Sequence, residues 1–274
     1  MEQIILSRID KNKSREENVH QVREFLQLLI LKIINEINYF QYISFVGGTC
    51  LRFLYNLQRF SEDLDFSLIQ KTRYRFDHLI QSIEFHLKKF GFNIEIKVKD
   101  QKIVQNAYIK FIDLLQQYEI SRAKDERLSI RLEIDSNPPE GCKTEMSIIN
   151  DFYIFPIWHF DLPSLFATKI HACLFRKFKK GRDFYDLVWY LSKKVVPNFS
   201  LLTNAIKQTE HQAIQINQAN FKEFLNKNLE EIDYLHLRKD VEPFLVNKSE
   251  ANLIHRDVIF KLVDDYWLLK TLWY

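Results

Sequence analysis

Residues 42–46 form a short, mostly apolar run that ends at Gly47 and Gly48, in a chain with only 5 glycines among 274 residues. Thr49 follows, and residues 50–57 carry helical spacing. The pattern predicts a strand that turns tightly through two glycines into a helix. Glycines permit that turn and let a ligand approach the backbone closely. A helix that starts there offers unpaired N–H groups and the positive end of its dipole, which suits a phosphate. Thr49 stands where its hydroxyl caps the helix or touches the phosphate. Arg52 lies one turn on and adds positive charge. An ordinary strand–turn–helix connection would look the same, so the glycine pair does not decide alone.

The next segment narrows the choice. Residues 60–68 read as a strand with a polar interruption, and Asp63 and Asp65 within it are separated by one residue. On a strand they share a side, with Cα atoms about 7 Å apart. Leu64, Phe66 and Leu68 take the opposite face and point inward. Two neighbouring carboxylates repel unless a cation or proton intervenes. Mg²⁺ takes hard oxygen ligands, usually one or two carboxylates plus phosphate oxygens. Placed one strand after a phosphate-type turn, the pair reads as a metal site more readily than as an acidic edge. A third carboxylate is expected on the strand at residues 128–135, where Arg131, Glu133 and Asp135 alternate with Leu132 and Ile134. Ser61 is either a phosphate contact or a turn cap.

Elsewhere the first half is mixed. Helices are predicted at residues 17–38 and 74–90, the second ended by Gly91, with strands at 92–98, 108–115, 144–149 and 152–154. After Pro156 the pattern is nearly all helical, at residues 162–179, 183–191, 201–208, 221–228 and 259–272. The class is therefore α+β, with a first domain over residues 1–157 and a helical second domain over residues 158–274. Trp158, Trp189, Trp267 and Trp273 sit in helical apolar patterns that predict core packing. His171 is expected to be packed or superficial rather than catalytic.

Several classes of function fit poorly. The most apolar stretch, residues 25–37, contains Gln27, Lys32 and Asn35; it is too short and polar to span a bilayer. No secretory signal is visible at the N-terminus. Cys50, Cys142 and Cys173 form no paired framework, which suits a reduced, cytoplasmic setting and argues against a zinc site. The net charge of +3 neither demands nor excludes nucleic acid. Local clustering is more telling: residues 169–182 carry six basic side chains, Lys169, Arg176, Lys177, Lys179, Lys180 and Arg182, and no acidic one. Lys169, Ala172 or Cys173, Arg176 and Lys180 are expected on one helical stripe that meets NTP phosphates or an RNA backbone. Gly181 is expected to break that helix and Asp183 to begin the next, with Tyr185, Leu187 and Val188 inward.

Together, Gly47-Gly48-Thr49-x-x-Arg52 and Arg59-x-Ser61-x-Asp63-x-Asp65-Phe66 resemble the first motif of the AbiEii/AbiGii (type IV toxin) nucleotidyltransferases. These belong to the DNA polymerase β-like superfamily. Lys169, Ala172, Arg176 and Lys177, then Gly181-Arg182-Asp183-x-Tyr185-Asp186-Leu187, are similar to that family's later Lys…Arg…Arg-Asp-x-x-Asp-Leu motif. The two matches occur in the family's order and extend from residue 46 to residue 191.

The resemblance implies a nucleotidyltransferase domain with a small mixed sheet, followed by a helical domain. Gly48 and Thr49, beside Gly47, would hold the triphosphate, with Arg52, Ser61, Arg176 and Arg182 as further nucleotide-binding candidates. Asp63 and Asp65 would bind one or two Mg²⁺ ions, with Glu133 favoured over Asp135 as third ligand. Lys169 would contact phosphate or steady developing charge, and Asp183 and Asp186 would orient basic side chains or the acceptor. The implied protein moves a nucleoside monophosphate from an NTP to an acceptor, tRNA or another macromolecule. It acts as the toxin of a bacterial toxin–antitoxin or phage-defence (abortive infection) pair whose antitoxin is a separate protein. Two other readings stay open: a small-molecule, aminoglycoside-type nucleotidyltransferase, and a non-catalytic NTP-binding module.

Overall fold

The computed structural model describes residues 2–99, 103–123, 126–211 and 213–268. They fall into two units. The first comprises Met1–Tyr55, Phe60–Pro138 and Glu145–His159; the second comprises Asn56–Arg59, Pro139–Thr144 and Phe160–Tyr274.

In chain order the sheet-bearing part contains α1 (Glu2–Arg8), α2 (Arg15–Glu36), β1 (Ile43–Val46), α3 (Gly47–Tyr55), β2 (Asp63–Leu68), α4 (Phe76–Lys89) and β3 (Ile94–Lys99). It continues with β4 (Val104–Phe111), α5 (Leu114–Gln117), β5 (Leu128–Asp135), β6 (Thr144–Asn150) and β7 (Ile154–Phe160). The helix α2 opens with a capping box. Ser14 accepts a bond from the Glu17 N–H at 3.2 Å, and the Glu17 carboxylate accepts from the Ser14 N–H at 2.8 Å. Its apolar run is buried nearly all round, with Phe25, Leu26, Leu29, Ile30, Ile33 and Ile34 inside. That explains a stretch that is apolar yet too short for a bilayer. Among the described residues no helix is long and apolar enough to cross a membrane.

The seven strands run in the order β3-β4-β5-β2-β1-β7-β6. The sheet is mixed: β1 and β2 are antiparallel, whereas β2 with β5 and β1 with β7 are parallel. A mixed sheet with helices on a single chain is the α+β class read from the sequence. The strand expected at residues 108–115 is displaced. It pairs residue by residue with β5, from Val104↔Asp135 to Phe111↔Leu128. Asp113 then takes a left-handed φ of 60° and turns the chain into α5. The strand expected at residues 152–154 instead continues through Pro156 to Phe160, where His159 lies level with Phe45 of β1. Proline's fixed φ is compatible with extended chain and removes only one ladder donor. Trp158 on this strand is 42% exposed, not in the core as expected, because alternation gives the inward positions to Phe155, Ile157 and His159.

The second unit is built from α6 (Leu162–Phe175), α7 (Gly181–Ser192), α8 (Phe199–Glu210), α9 (Phe221–Leu229), α10 (Tyr234–Val241) and α11 (Arg256–Leu268). Asp161 caps α6 by accepting from the Ser164 N–H at 2.9 Å. Trp189 is half-buried, its ring edge-on to Tyr190 with centroids 5.1 Å apart. His171 is half-buried too and meets the Thr209 hydroxyl at 2.7 Å. Of the helix expected at residues 259–272, positions 269–272 lie outside the described residues, as do Trp273 and the Trp267 side chain.

Two expectations around Gly181 are corrected. Helix α6 ends at Phe175, and Arg176 is extended with ψ 132°. The Lys179 ammonium donates to the Leu174 carbonyl and so caps that end. Lys180 therefore shares no helical stripe with Lys169. Gly181 begins α7 rather than breaking a helix. A Cβ there would stand 2.0 Å from the Leu237 carbonyl oxygen, so only glycine lets α7 start this close to α10. The Gly181 N–H donates to Asp240 Oδ2 at 2.7 Å.

Candidate active site

In the first unit the glycine turn and the aspartates are neighbours. Val46, the last residue of β1, lies level with Asp65 of β2. Gly47 follows with φ +78°, and a Cβ there would stand 2.3 Å from Asp65 Oδ2. The Asp65 carboxylate thus lies directly against the first residue of the turn. Helix α3 starts at Gly47, earlier than the expected position 50, so Gly47, Gly48 and Thr49 form its first turn. The first-turn amides of an α-helix have no intrahelical acceptor. Their dipole end therefore faces the same place as the Asp65 carboxylate.

The strand alternation is as read. Leu64 and Phe66 are buried, while Asp63 and Asp65 are half-exposed on the other face. In the parallel neighbour β5, Arg131 lies level with Asp63 and Glu133 level with Asp65. Asp135 is level with Ser67, and its carboxylate accepts from the Asn137 N–H at 3.0 Å. Burial raises the Asp135 pKa, an effect that bond partly offsets. Glu133 is thus the nearer third carboxylate along the strand. Arg131 reaches across the group. Its guanidinium lies 2.6 Å from Asp63 Oδ2 and 3.0 Å from Glu133 Oε2.

Thr49 is fully buried and its hydroxyl donates to the Asp63 carbonyl, fastening α3 to β2. Arg52 donates to Glu24 of α2 at 2.6 Å and lies 5.0 Å from the Phe60 ring. Ser61 is buried, and its carbonyl accepts from Gln27 Nε2 at 3.2 Å. These three candidates therefore have structural engagements beside any ligand contact. Glu24 had no distinguishing signal in the sequence, being one of several charges early in α2.

Among the described residues no three His, Cys, Asp or Glu side chains are gathered as a ready metal cage. The donor set nonetheless fits a hard cation. Asp63, Asp65 and Glu133 supply oxygen only, share two adjacent parallel strands in register, and already attract a guanidinium.

The second motif forms a group of its own within the second unit. Lys169 is 8% exposed and lies 2.7 Å from Asp183 and 2.8 Å from Asp186. Asp186 receives a two-pronged contact from Arg59, with Nε to Oδ1 at 2.7 Å and Nη2 to Oδ2 at 2.6 Å. Arg176 holds the other Asp183 oxygen at 2.6 Å. Three cations thus surround two carboxylates. Burial alone would raise the Asp183 pKa, but Lys169 and Arg176 outweigh it and lower it to about 2. Burial lowers the Lys169 pKa, and Asp183 and Asp186 outweigh that to raise it. Lys169, expected on a stripe that meets phosphates, is instead buried and paired with Asp183 and Asp186. Arg176 keeps a partly open side chain, 40% exposed. Arg182 lies 4.0 Å from the Phe244 ring. Arg59 appeared in the first motif without a role; its partner 127 residues away is a tertiary fact.

The fold has solved relatives. A candidate nucleotidyltransferase from H. pylori is 21% identical, with a TM-score of 0.55 over 92% of this chain and 96% of that one. JHP933 from Helicobacter pylori is also 21% identical, with a TM-score of 0.50 over 93% of this chain and 98% of that one. No curated protein sequence matches significantly. The match to a family of nucleotidyltransferases, on a fold shared with these structures, makes the chain a nucleotidyltransferase. The family profile for "Nucleotidyl transferase AbiEii toxin, Type IV TA system" matches residues 29–256, and the chain belongs to that family. Membership implies an NTP substrate and a separate antitoxin.

Proposed function

We propose that the protein is a Mg²⁺-dependent toxin that transfers a nucleoside monophosphate from an NTP to an RNA acceptor, with tRNA as the leading substrate class. The observation that carries this reading is the Asp65 carboxylate lying against Gly47, on the strand face it shares with Asp63. One place then offers both helix-start amides for phosphate and oxygen donors for a cation.

In this reading Gly47 and Gly48 let the triphosphate approach the start of α3. Asp63, Asp65 and Glu133 hold Mg²⁺. The metal supplies charge neutralisation for the triphosphate and its developing negative charge. The acceptor hydroxyl oxygen bonds to the α-phosphorus as its proton passes to solvent, the bond from that phosphorus to the bridging oxygen breaks, and pyrophosphate leaves with the electron pair. No covalent enzyme intermediate is needed, because positioning and electrostatics carry such transfers. Asp183 and Asp186 orient Lys169, and Arg176 is the member of that group exposed enough to meet a phosphate. Arg59 fixes Asp186.

The test is incubation with each labelled NTP in turn, against total RNA and against small hydroxyl compounds. Label on an RNA species, lost in the absence of divalent metal, is expected. Label only on a small compound would contradict the RNA acceptor, and no transfer to anything would contradict the reading.

A further inference from the structure

The side chain that stands out in the first unit is Arg131, which the transfer reaction as proposed does not use. It is neither on the surface nor fully enclosed; its side chain is 30% exposed, like that of Glu133. One guanidinium nitrogen meets Asp63 and another meets Glu133, at 2.6 and 3.0 Å. Asp65, level with Glu133 in the sheet, adds its field. Three carboxylates on two adjacent strands would repel one another strongly without a cation among them. A guanidinium is planar and bridges two carboxylates better than an ammonium does. Its position follows from the strand itself, because the residue two before Glu133 shares its face and lies level with Asp63.

We propose that Arg131 is a resident counter-cation of the carboxylate site, which a divalent metal must displace from Asp63 and Glu133 in order to bind. This rests on the reading of Asp63, Asp65 and Glu133 as metal ligands. Arg131 holds the strands β2 and β5 together in the metal-free protein and lowers the affinity for metal. Loading the metal frees a guanidinium beside the site, where triphosphate oxygens are its natural next partners. The protein therefore takes up metal together with nucleotide more readily than metal alone.

Mn²⁺ binding measures this without any turnover, by calorimetry or by the loss of the free-ion paramagnetic signal. Wild type, Arg131→Gln, Arg131→Lys and Asp63→Asn are compared in the full chain. Removing a competing, half-exposed cation is expected to tighten Mn²⁺ binding about tenfold in Arg131→Gln. Arg131→Lys, whose point charge meets one carboxylate at a time, is expected to fall between. The metal-free melting temperature of Arg131→Gln should drop, and Mn²⁺ should restore more of it than in wild type. Unchanged or weaker Mn²⁺ binding in both arginine variants overturns the proposal, since an arginine that merely positions ligands would weaken binding when lost. If Arg131→Gln fails to fold, Arg131→Lys alone decides by the same criterion. Wild-type binding that Asp63→Asn leaves untouched would instead remove the metal-site reading itself, and the proposal with it.

Discussion

Replacing Gly47 with alanine tests the apposition of turn and carboxylate. Two costs follow. The backbone sits at φ +78°, a region that costs an L side chain about 1–2 kcal/mol. The new Cβ would also lie 2.3 Å from Asp65 Oδ2. A comfortable contact needs the carboxylate to retreat by about 1 Å. Overpacking of this kind adds about 1 kcal/mol or more. The total of about 2–3 kcal/mol corresponds to a fall in Tm of roughly 5–10 °C for a chain of this size. A 1 Å displacement of a reacting-site ligand reduces turnover about 100-fold. Gly91 is the internal control. Its φ is +88°, but a Cβ there meets nothing within 4 Å. Gly91→Ala should lose about 1–2 kcal/mol and keep wild-type transfer. Both variants are measured by thermal melts and by transfer from a labelled NTP, well below either midpoint. Equal turnover in the two would refute the claim that the turn and Asp65 act as one site.

Asp186→Ala leaves Arg59 and Lys169 buried without their shared partner, so a loss of about 3–5 kcal/mol in urea unfolding is expected; a loss below about 1 kcal/mol would contradict the described arrangement. Asp183 has a folded-state pKa of about 2, below its ordinary value of 3.8, so it stabilises the fold above pH 4 and that contribution disappears as pH falls toward 2. Chemical-denaturation series across that window should show a loss of about 2 kcal/mol that Asp183→Asn abolishes.

What the sequence made legible was local. The alternation around Asp63 and Asp65 and along β5 needs only the period of a strand, and the glycine turn needs only backbone freedom. The span of β5, residues 128–135 in both sequence and structure, follows from the same period, whereas the start of α2 was expected at residue 17 because the capping box at Ser14 and Glu17 was not read. What escaped depended on distant partners. The stripe drawn through Lys169 and Lys180 assumed one continuous helix, but the chain leaves helix at Arg176, whose guanidinium is drawn to Asp183. Gly181 looked like a breaker because glycine is a poor helix former; its reason is the Leu237 carbonyl, 56 residues away in sequence and visible only after α10 docks. Helix α10 itself was missed: only Leu237 and Val241 of its apolar side chains are buried, while Leu235 is exposed, so no clean inward stripe marks it in the sequence. Trp158 illustrates the converse. Its apolar character suggested the core, but its position on β7 decided otherwise.

We propose Asp63 and Asp65, beside the Gly47 turn, as the metal-dependent transfer site of this nucleotidyltransferase. Pyrophosphate release from an NTP in the presence of total RNA measures it most directly, with wild type beside Asp63→Asn and Asp65→Asn, each checked for folding by its melt. Release in wild type that chelation abolishes is expected, with a fall of at least about 100-fold in either variant. Release at the wild-type rate from a folded Asp65→Asn protein would contradict the proposed site.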